Sequence, residues 1–212
     1  MDVKQFEFNS IEENTYVLYD ETKEAAIIDC GAYFPKEKME LRDFISGNQM
    51  VLKRLLNTHL HLDHTFGNEF IFNTYGVFPE YHRLEERMPP ELKKRAEALG
   101  IKIGNDGNGF MKYLKEGDVV SFGNVKLDVI LVPGHSPGGL CFYSKANAAL
   151  FSGDVLFRES IGSTDMWGGD ERLLITGIRR KLLTLPENTI VYPGHGQQTT
   201  IGHERKHNPY LK

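Results

Sequence analysis

The chain has 212 residues, 40% of them hydrophobic, which is ample for a buried core, and a formal net charge of −4. That charge excludes the basic footprint a nucleic-acid partner requires, and no window approaches the roughly 18 to 20 apolar residues of a membrane span. With no apolar leader behind the opening MDVKQFEFNS, the expected location is the cytoplasm, and neither nucleic acid nor membrane is expected as a partner.

In chain order, β-rich runs at 3–8, 15–19 and 25–29 are separated by polar turn clusters and predict consecutive antiparallel strands. Cys30 follows the third run, and Cys141 lies in another apolar run; they read as two buried thiols rather than a disulfide. A helix is expected over 35–45, a strand over 51–56, and a second helix over 63–75 with Phe66 and Phe70 on one face. The 80–109 segment, with Pro89-Pro90, a charged stretch at 91–99 and a Gly/Asn-rich tail, predicts a helix and loop packed outside the main sheets. Strands are expected again at 119–122, 125–132, 140–143, 148–151 and 189–192, with an amphipathic helix over 171–183 ending before Pro186. Such a mixture implies a layered α/β sandwich, and the chain shows no sequence repeat.

Four places share one pattern: an apolar strand run, a small turn, then a side chain that can bind metal. They are LKRLLNTH ending at His59, VILVPGH at His135, ALFSGD at Asp154 and TIVYPGH at His195. Side chains just past strand ends lie along one rim of a sheet, so residues distant in sequence can converge there. The first place continues as His59-Leu60-His61-Leu62-Asp63-His64, dense enough for His59 and His61 to share one ion while Asp63 and His64 face another. His135 or His195 alone reads more readily as a solvated loop residue, whereas the first cluster is the stronger signal; together they form a ligand inventory. Asp29, at the end of an early strand, is either a carboxylate that holds a ligand imidazole from behind or a turn cap. His82, His203 and His207 read as surface or packing residues, and Trp167 as packing.

HxHxDH followed by Pro133-Gly134-His135-Ser136-Pro137-Gly138-Gly139, Ser152-Gly153-Asp154 and Pro193-Gly194-His195-Gly196 resembles the metallo-β-lactamase superfamily over nearly the whole chain. The GSTDMWGGD stretch and the closing TTIGHERKHNPYL resemble its glyoxalase II-like (hydroxyacylglutathione hydrolase-like) branch. The resemblance implies a four-layer αββα sandwich formed by residues 1–212 as a single domain, with the site on one edge. It also implies that His59, His61 and His135 bind one metal, that Asp63, His64 and His195 bind a second, and that Asp154 bridges them.

A ligand set of imidazoles and carboxylates without cysteine suits zinc, iron or manganese; two divalent ions are expected, zinc first. With two aspartates and a bridging hydroxide the site would keep a charge of about +1, which favours an anionic substrate or intermediate. The chemistry this implies is hydrolysis of a hydroxyacyl thioester such as S-lactoylglutathione: attack by the hydroxide, oxyanion stabilisation by metal, and departure of a thiolate, with Asp63 also orienting the nucleophile. The partner is then a small-molecule thioester, and the chain a monomer or homodimer. A mononuclear-iron persulfide dioxygenase or a lactonase-type hydrolase of the same superfamily would share these motifs. Cys30 stands where the family commonly has proline, and Ser163 where related sequences often carry arginine. Glutathione-using members continue past the NPY segment into basic helix, whereas this sequence ends at Lys212, so no glutathione clamp is expected.

Overall fold

The computed structural model describes residues 1–87, 94, 97–98 and 112–212; most of the expected helix and loop of 80–109 lies outside them. The described strands are β1 (Asp2–Phe8), β2 (Glu13–Tyr19), β3 (Glu24–Ile28), β4 (Val51–Leu56), β5 (Pro79–His82), β6 (Lys112–Leu114), β7 (Val119–Phe122), β8 (Val125–Leu131), β9 (Leu140–Ser144), β10 (Ala149–Gly153), β11 (Leu156–Phe157), β12 (Ser160–Ile161), β13 (Ile190–Pro193) and β14 (Thr199–Thr200). The α-helices given for the described residues are α1 (Pro35–Gly47), α2 (Asn68–Tyr75), α3 (Glu171–Gly177) and α4 (Ile201–His207).

Strands β1 to β6 form one six-stranded sheet in sequence order, and the other runs β14-β13-β10-β9-β8-β7; β11 and β12 form a small hairpin. Alternation along the strands sorts the core into layers. On β3, Ala26 and Ile28 join Phe142 of β9 and Phe151 of β10 between the sheets, while Ala25 and Ile27 pack with Leu41 and Ile45 of α1 and Ile71 of α2. On β9, Cys141 and Tyr143 point the other way, into a cluster with Leu174 of α3 and Ile201 of α4. Helix, sheet, sheet and helix therefore stack as the αββα sandwich. Because both faces of each sheet are covered, the inner strands are continuous apolar runs; β9 and β10 have no exposed residue.

Three expectations change. The helix expected over 63–75 starts at Asn68; Leu62–His64 is a separate 3-10 turn, with Thr65–Gly67 between them. A Cβ on Gly67 would overlap Cys30 Sγ, so this passage is packed too closely for a regular helix with ordinary side chains. Phe66 consequently packs with Leu60 and Tyr81, and Phe70 joins the cluster under α1. The helix expected over 171–183 is α-helical only to Gly177 and continues as a π turn over Ile178–Leu182. Strands β5, β6, β11, β12 and β14 and helix α4 were not expected; each strand is two to four residues long. Both cysteines are buried free thiols, and burial pushes each thiol far above its ordinary pKa. Among the described residues, no helix is long and apolar enough to cross a membrane.

Candidate metal centre

Strand direction gathers the site. Strands β3, β4 and β5 are mutually parallel. In the other sheet β10 and β13 are parallel, and β8 runs with them because β9 is antiparallel to both neighbours. The turns after β4, β8, β10 and β13 carry His59, His135, Asp154 and His195. The rims meet where Asn14 N donates to the Gly194 carbonyl (2.7 Å) and Leu140 N to the Thr58 carbonyl (2.8 Å).

All seven candidate ligands come together there. His59 Nε2 lies 3.0 Å from His61 Nδ1 and 3.3 Å from His135 Nε2, and the last two atoms are 3.0 Å apart. Nitrogens around a tetrahedral ion with metal–nitrogen bonds of about 2.0–2.1 Å sit about 3.3 Å from one another, so this triangle is the right size. Beside it, Asp63 Oδ2 is 3.2 Å from His195 Nε2 and 3.6 Å from His64 Nε2. Asp154 spans the two groups: Oδ1 is 3.4 Å from His64 Nε2, and Oδ2 is 3.5 Å from His135 Nε2 and 3.7 Å from His195 Nε2. A Cβ on Gly194 would overlap Asp154 Oδ1, so the backbone itself must come close to seat this carboxylate.

The outward ring nitrogens show which atoms are free to bind. His135 Nδ1 donates to the Ser163 carbonyl (2.7 Å) and His195 Nδ1 to the Ile11 carbonyl (3.1 Å). His64 Nδ1 meets Asp29 Oδ2 (3.0 Å). The Thr58 hydroxyl donates to the same Asp29 oxygen (2.7 Å), leaving its lone pair for His59 Nδ1 (3.0 Å). Four of the five rings, all but His61, are thus held from behind with the other nitrogen aimed inward, the usual way a protein fixes a metal-binding imidazole. Buried and without a hydrogen-bond partner are His64 Nε2 and Asp154 Oδ1, both facing the centre, and a divalent cation would satisfy both. These residues fit a metal pair: His59, His61 and His135 on one side, Asp63, His64 and His195 on the other.

The electrostatics agree. Burial, then the neighbouring imidazoles of His135 and His64, lowers the pKa of His61 to about 4, so it is neutral and able to coordinate at pH 7. His59 is pushed down by burial and by His64. Burial also disfavours charge on His64, but Asp154 and Asp29 outweigh it and hold its pKa well above the ordinary value. Burial raises the Asp154 and Asp63 carboxyls, yet His64 in the first case and His195 in the second bring both below the usual range. The side of the cage formed by His64, His195 and the two aspartates therefore favours positive charge, while His59, His61 and His135 are held neutral. The cage opens on one side, where the His195 side chain keeps 24% of its surface and Asp63 keeps 15%, while His64 keeps none.

The sequence reading missed four supporting residues. Glu13 begins β2, which runs against β3, so a strand start lies on the same rim as the strand ends. Its buried carboxylate accepts from Thr15 (2.7 Å) and comes within 3.9 Å of His64 Nδ1. Thr58 links Asp29 to His59, and Asn57 Nδ2 donates to the His64 carbonyl (3.1 Å). Glu85 lies just beyond β5 and is fully enclosed. Glu13, Asp29 and His64 also form a tight group, but it lies on the Nδ1 side that Asp29 already occupies, and it braces the ring from behind. Asp29 adopts φ 51°, and its Oδ1 accepts from Thr58 N (2.8 Å), so it both shapes the turn and holds two imidazoles. Ser163, noted above for its side chain, acts through its carbonyl. Trp167 is half-buried in the same loop, and His82, His203 and His207 lie outside the cage.

Comparison with known proteins gives a consistent picture. The family model described as Metallo-beta-lactamase superfamily matches residues 12–195. The chain is 32% identical over 212 residues to hydroxyacylglutathione hydrolase GloC of Haemophilus influenzae, covering 100% of this chain and 98% of that one. Among solved structures it resembles BLEG-1 B3 metallo-beta-lactamase, with TM-score 0.86, 36% identity and full coverage of both chains. It also resembles TTHA1623 in a di-iron-bound form, with TM-score 0.80, 32% identity, and coverage of 99% of this chain and 100% of that one.

Proposed function

The chain belongs to the metallo-β-lactamase superfamily, and from that premise we propose that it is a dinuclear thioester hydrolase of glyoxalase II type, acting on small hydroxyacyl thioesters of the S-lactoylglutathione kind. The observation that carries the proposal is the pair of donor groups sharing Asp154, with inward donor atoms on every ring. The likeness to GloC across the full chain supports the branch. Two divalent ions, zinc first and iron or manganese next, would lower the pKa of a shared water and polarise the carbonyl it attacks.

The chain's own residues do the rest. His59, His61 and His135 form one binding face, and His64 and His195 with Asp63 the other. Asp63, on the open side and anchored through its carbonyl by Asn9 Nδ2 (3.1 Å), orients the attacking water besides binding metal. A departing thiolate with a pKa near the ordinary thiol value of about 8.5 needs little protonation, so no separate acid is required.

The test pairs metal analysis of protein purified without added metal with assays on S-lactoylglutathione, a lactone and glutathione persulfide. About two metals per chain and thioester turnover are expected. One iron per chain with persulfide-dependent oxygen uptake would replace the proposal with a persulfide dioxygenase. Asp63→Ala, checked for retained fold, should lose most turnover, and a near wild-type kcat would remove Asp63 from this role. A second reading, β-lactam hydrolysis, draws on the likeness to BLEG-1; turnover of a penicillin exceeding that of every thioester tried would favour it.

A further inference from the structure

We propose that Glu85 is a positioning residue that clamps together the two loops carrying His59, His61 and His135, and so sets the affinity of that trio for its ion. The proposal rests on the two-metal reading of the cage. Glu85 follows β5, whose direction places its end on the same rim as that of β4, and the side chain is buried, with 2% exposure. Each carboxylate oxygen takes one backbone donor from a different ligand loop. Oε2 accepts from Leu60 N (3.1 Å), and Oε1 accepts from Gly138 N (2.6 Å).

The two donors explain why this contact matters to metal binding. Leu60 stands between His59 and His61, so fixing its N–H fixes the His59–Leu60 peptide plane, which carries the His59 Cα at one end and leads through Leu60 into His61 at the other. Gly138 closes the turn that begins at His135, where Gly134 N donates to the Ser136 carbonyl (3.0 Å). Across the strand side, the loops are joined by Leu140 N and the Thr58 carbonyl (2.8 Å); Glu85 supplies a second fastening beyond the ligands. Two fastenings remove the hinge freedom that one would leave. A Cβ on Gly138 would lie 3.0 Å from Glu85 Oε1 and 2.9 Å from His82 Nδ1, so the close approach of this turn to Glu85 favours glycine.

A carboxylate suits the task because it offers two acceptors and no donor. A glutamine offers one acceptor and an NH2 group that would face a backbone N–H, so only one loop can stay fastened. Burial holds the Glu85 carboxyl pKa above its ordinary value, and the hydrogen bonds from Leu60, Gly138 and Ser136 oppose that shift by favouring the ionised form. Outer groups of this kind typically alter metal affinity by about 10- to 100-fold.

The trio's affinity can be isolated by removing one ligand of the other trio. In a His195→Ala background, Co(II) uptake followed by visible absorption and chelator competition reads the His59/His61/His135 group. In a His61→Ala background it reads the other. Glu85→Gln should weaken binding about tenfold or more in the first background and leave the second unchanged. Equal weakening in both backgrounds, or none in either, overturns the clamp. Glu85→Ala should give the larger loss; if it does not fold, as judged by circular dichroism, Glu85→Gln, which preserves volume, carries the test. An unaltered chain that takes up no Co(II) overturns the two-metal reading and the clamp together, whereas normal uptake with no selective effect overturns the clamp alone.

Discussion

Thr58 links a buried carboxylate to a candidate metal-binding imidazole. Its hydroxyl sits between the Asp29 carboxylate and His59 Nδ1, and so carries the carboxylate's hold to a second imidazole, while Asp29 grips His64 directly. Thr58→Val keeps the shape and removes the relay. Metal affinity of the trio containing His59 is expected to fall about 10- to 100-fold, with little change in unfolding midpoint of the metal-free protein. Chelator competition checks it, and unchanged affinity would mean that backbone packing alone holds the ring. Nothing in the sequence marks Thr58, because a threonine before a ligand is common in any turn. His59, His61, Asp63 and His64 were legible through their density within six positions. Glu13 and Glu85 were not, because each reaches the rim from a strand whose direction and neighbours only the folded sheet defines.

At the scale of elements, α3 shows how a helix start can serve a distant loop. Asp170 caps it, its side chain accepting from Leu173 N (2.9 Å), and Asp170 N donates to the carbonyl of Gly134, the residue before His135 (2.8 Å). Asp170→Ala should therefore destabilise the protein by about 1 kcal/mol, the usual worth of such a cap, read as a lower urea midpoint. No change in midpoint would show that packing of Leu174 and Ile178 fixes α3 without the cap. The GGD stretch that suggested the glyoxalase II-like branch thus has a structural duty as well. Long periodic elements such as α1 and β8 were legible in the sequence, since their pattern repeats over several residues. The passage 62–67 was not: its composition permits a helix, but the need to aim Asp63 and His64 at the cage and to pass close to Cys30 breaks it into a 3-10 turn and a bend.

Across the whole molecule, the two sheets are pinned at both ends. One end is the metal-binding rim; at the other, Asp20 beyond β2 accepts from Asn124 N (2.7 Å) in the β7–β8 turn, and Glu24 accepts from Gly123 N (2.7 Å). Burial pushes the Asp20 carboxyl upward, but hydrogen bonds from the Thr22 hydroxyl and from Asn124 and Thr22 backbone amides outweigh it and hold its pKa below the ordinary value. A depressed folded-state pKa contributes stability that is present above the unfolded value of about 3.9 and is lost as pH falls from there through the folded value. Metal-free wild type should therefore exceed Asp20→Asn in urea midpoint at pH 7, and the gap should close below about pH 4. A gap that persisted at pH 2 would show that the charge on Asp20 is not its source.

The sequence by itself determined the chemistry available and the fold that carries it. Imidazoles and carboxylates placed just after apolar strand runs are a local pattern, and such runs, too apolar for an exposed face, require sheets covered on both sides. Only the tertiary structure decided which of those side chains lie beside one another, which nitrogen of each ring faces inward, and which buried side chains hold them there. Those properties depend on strand direction and on contacts between residues far apart in the chain, such as Glu85 with Leu60 and Gly138, and no local spacing encodes them.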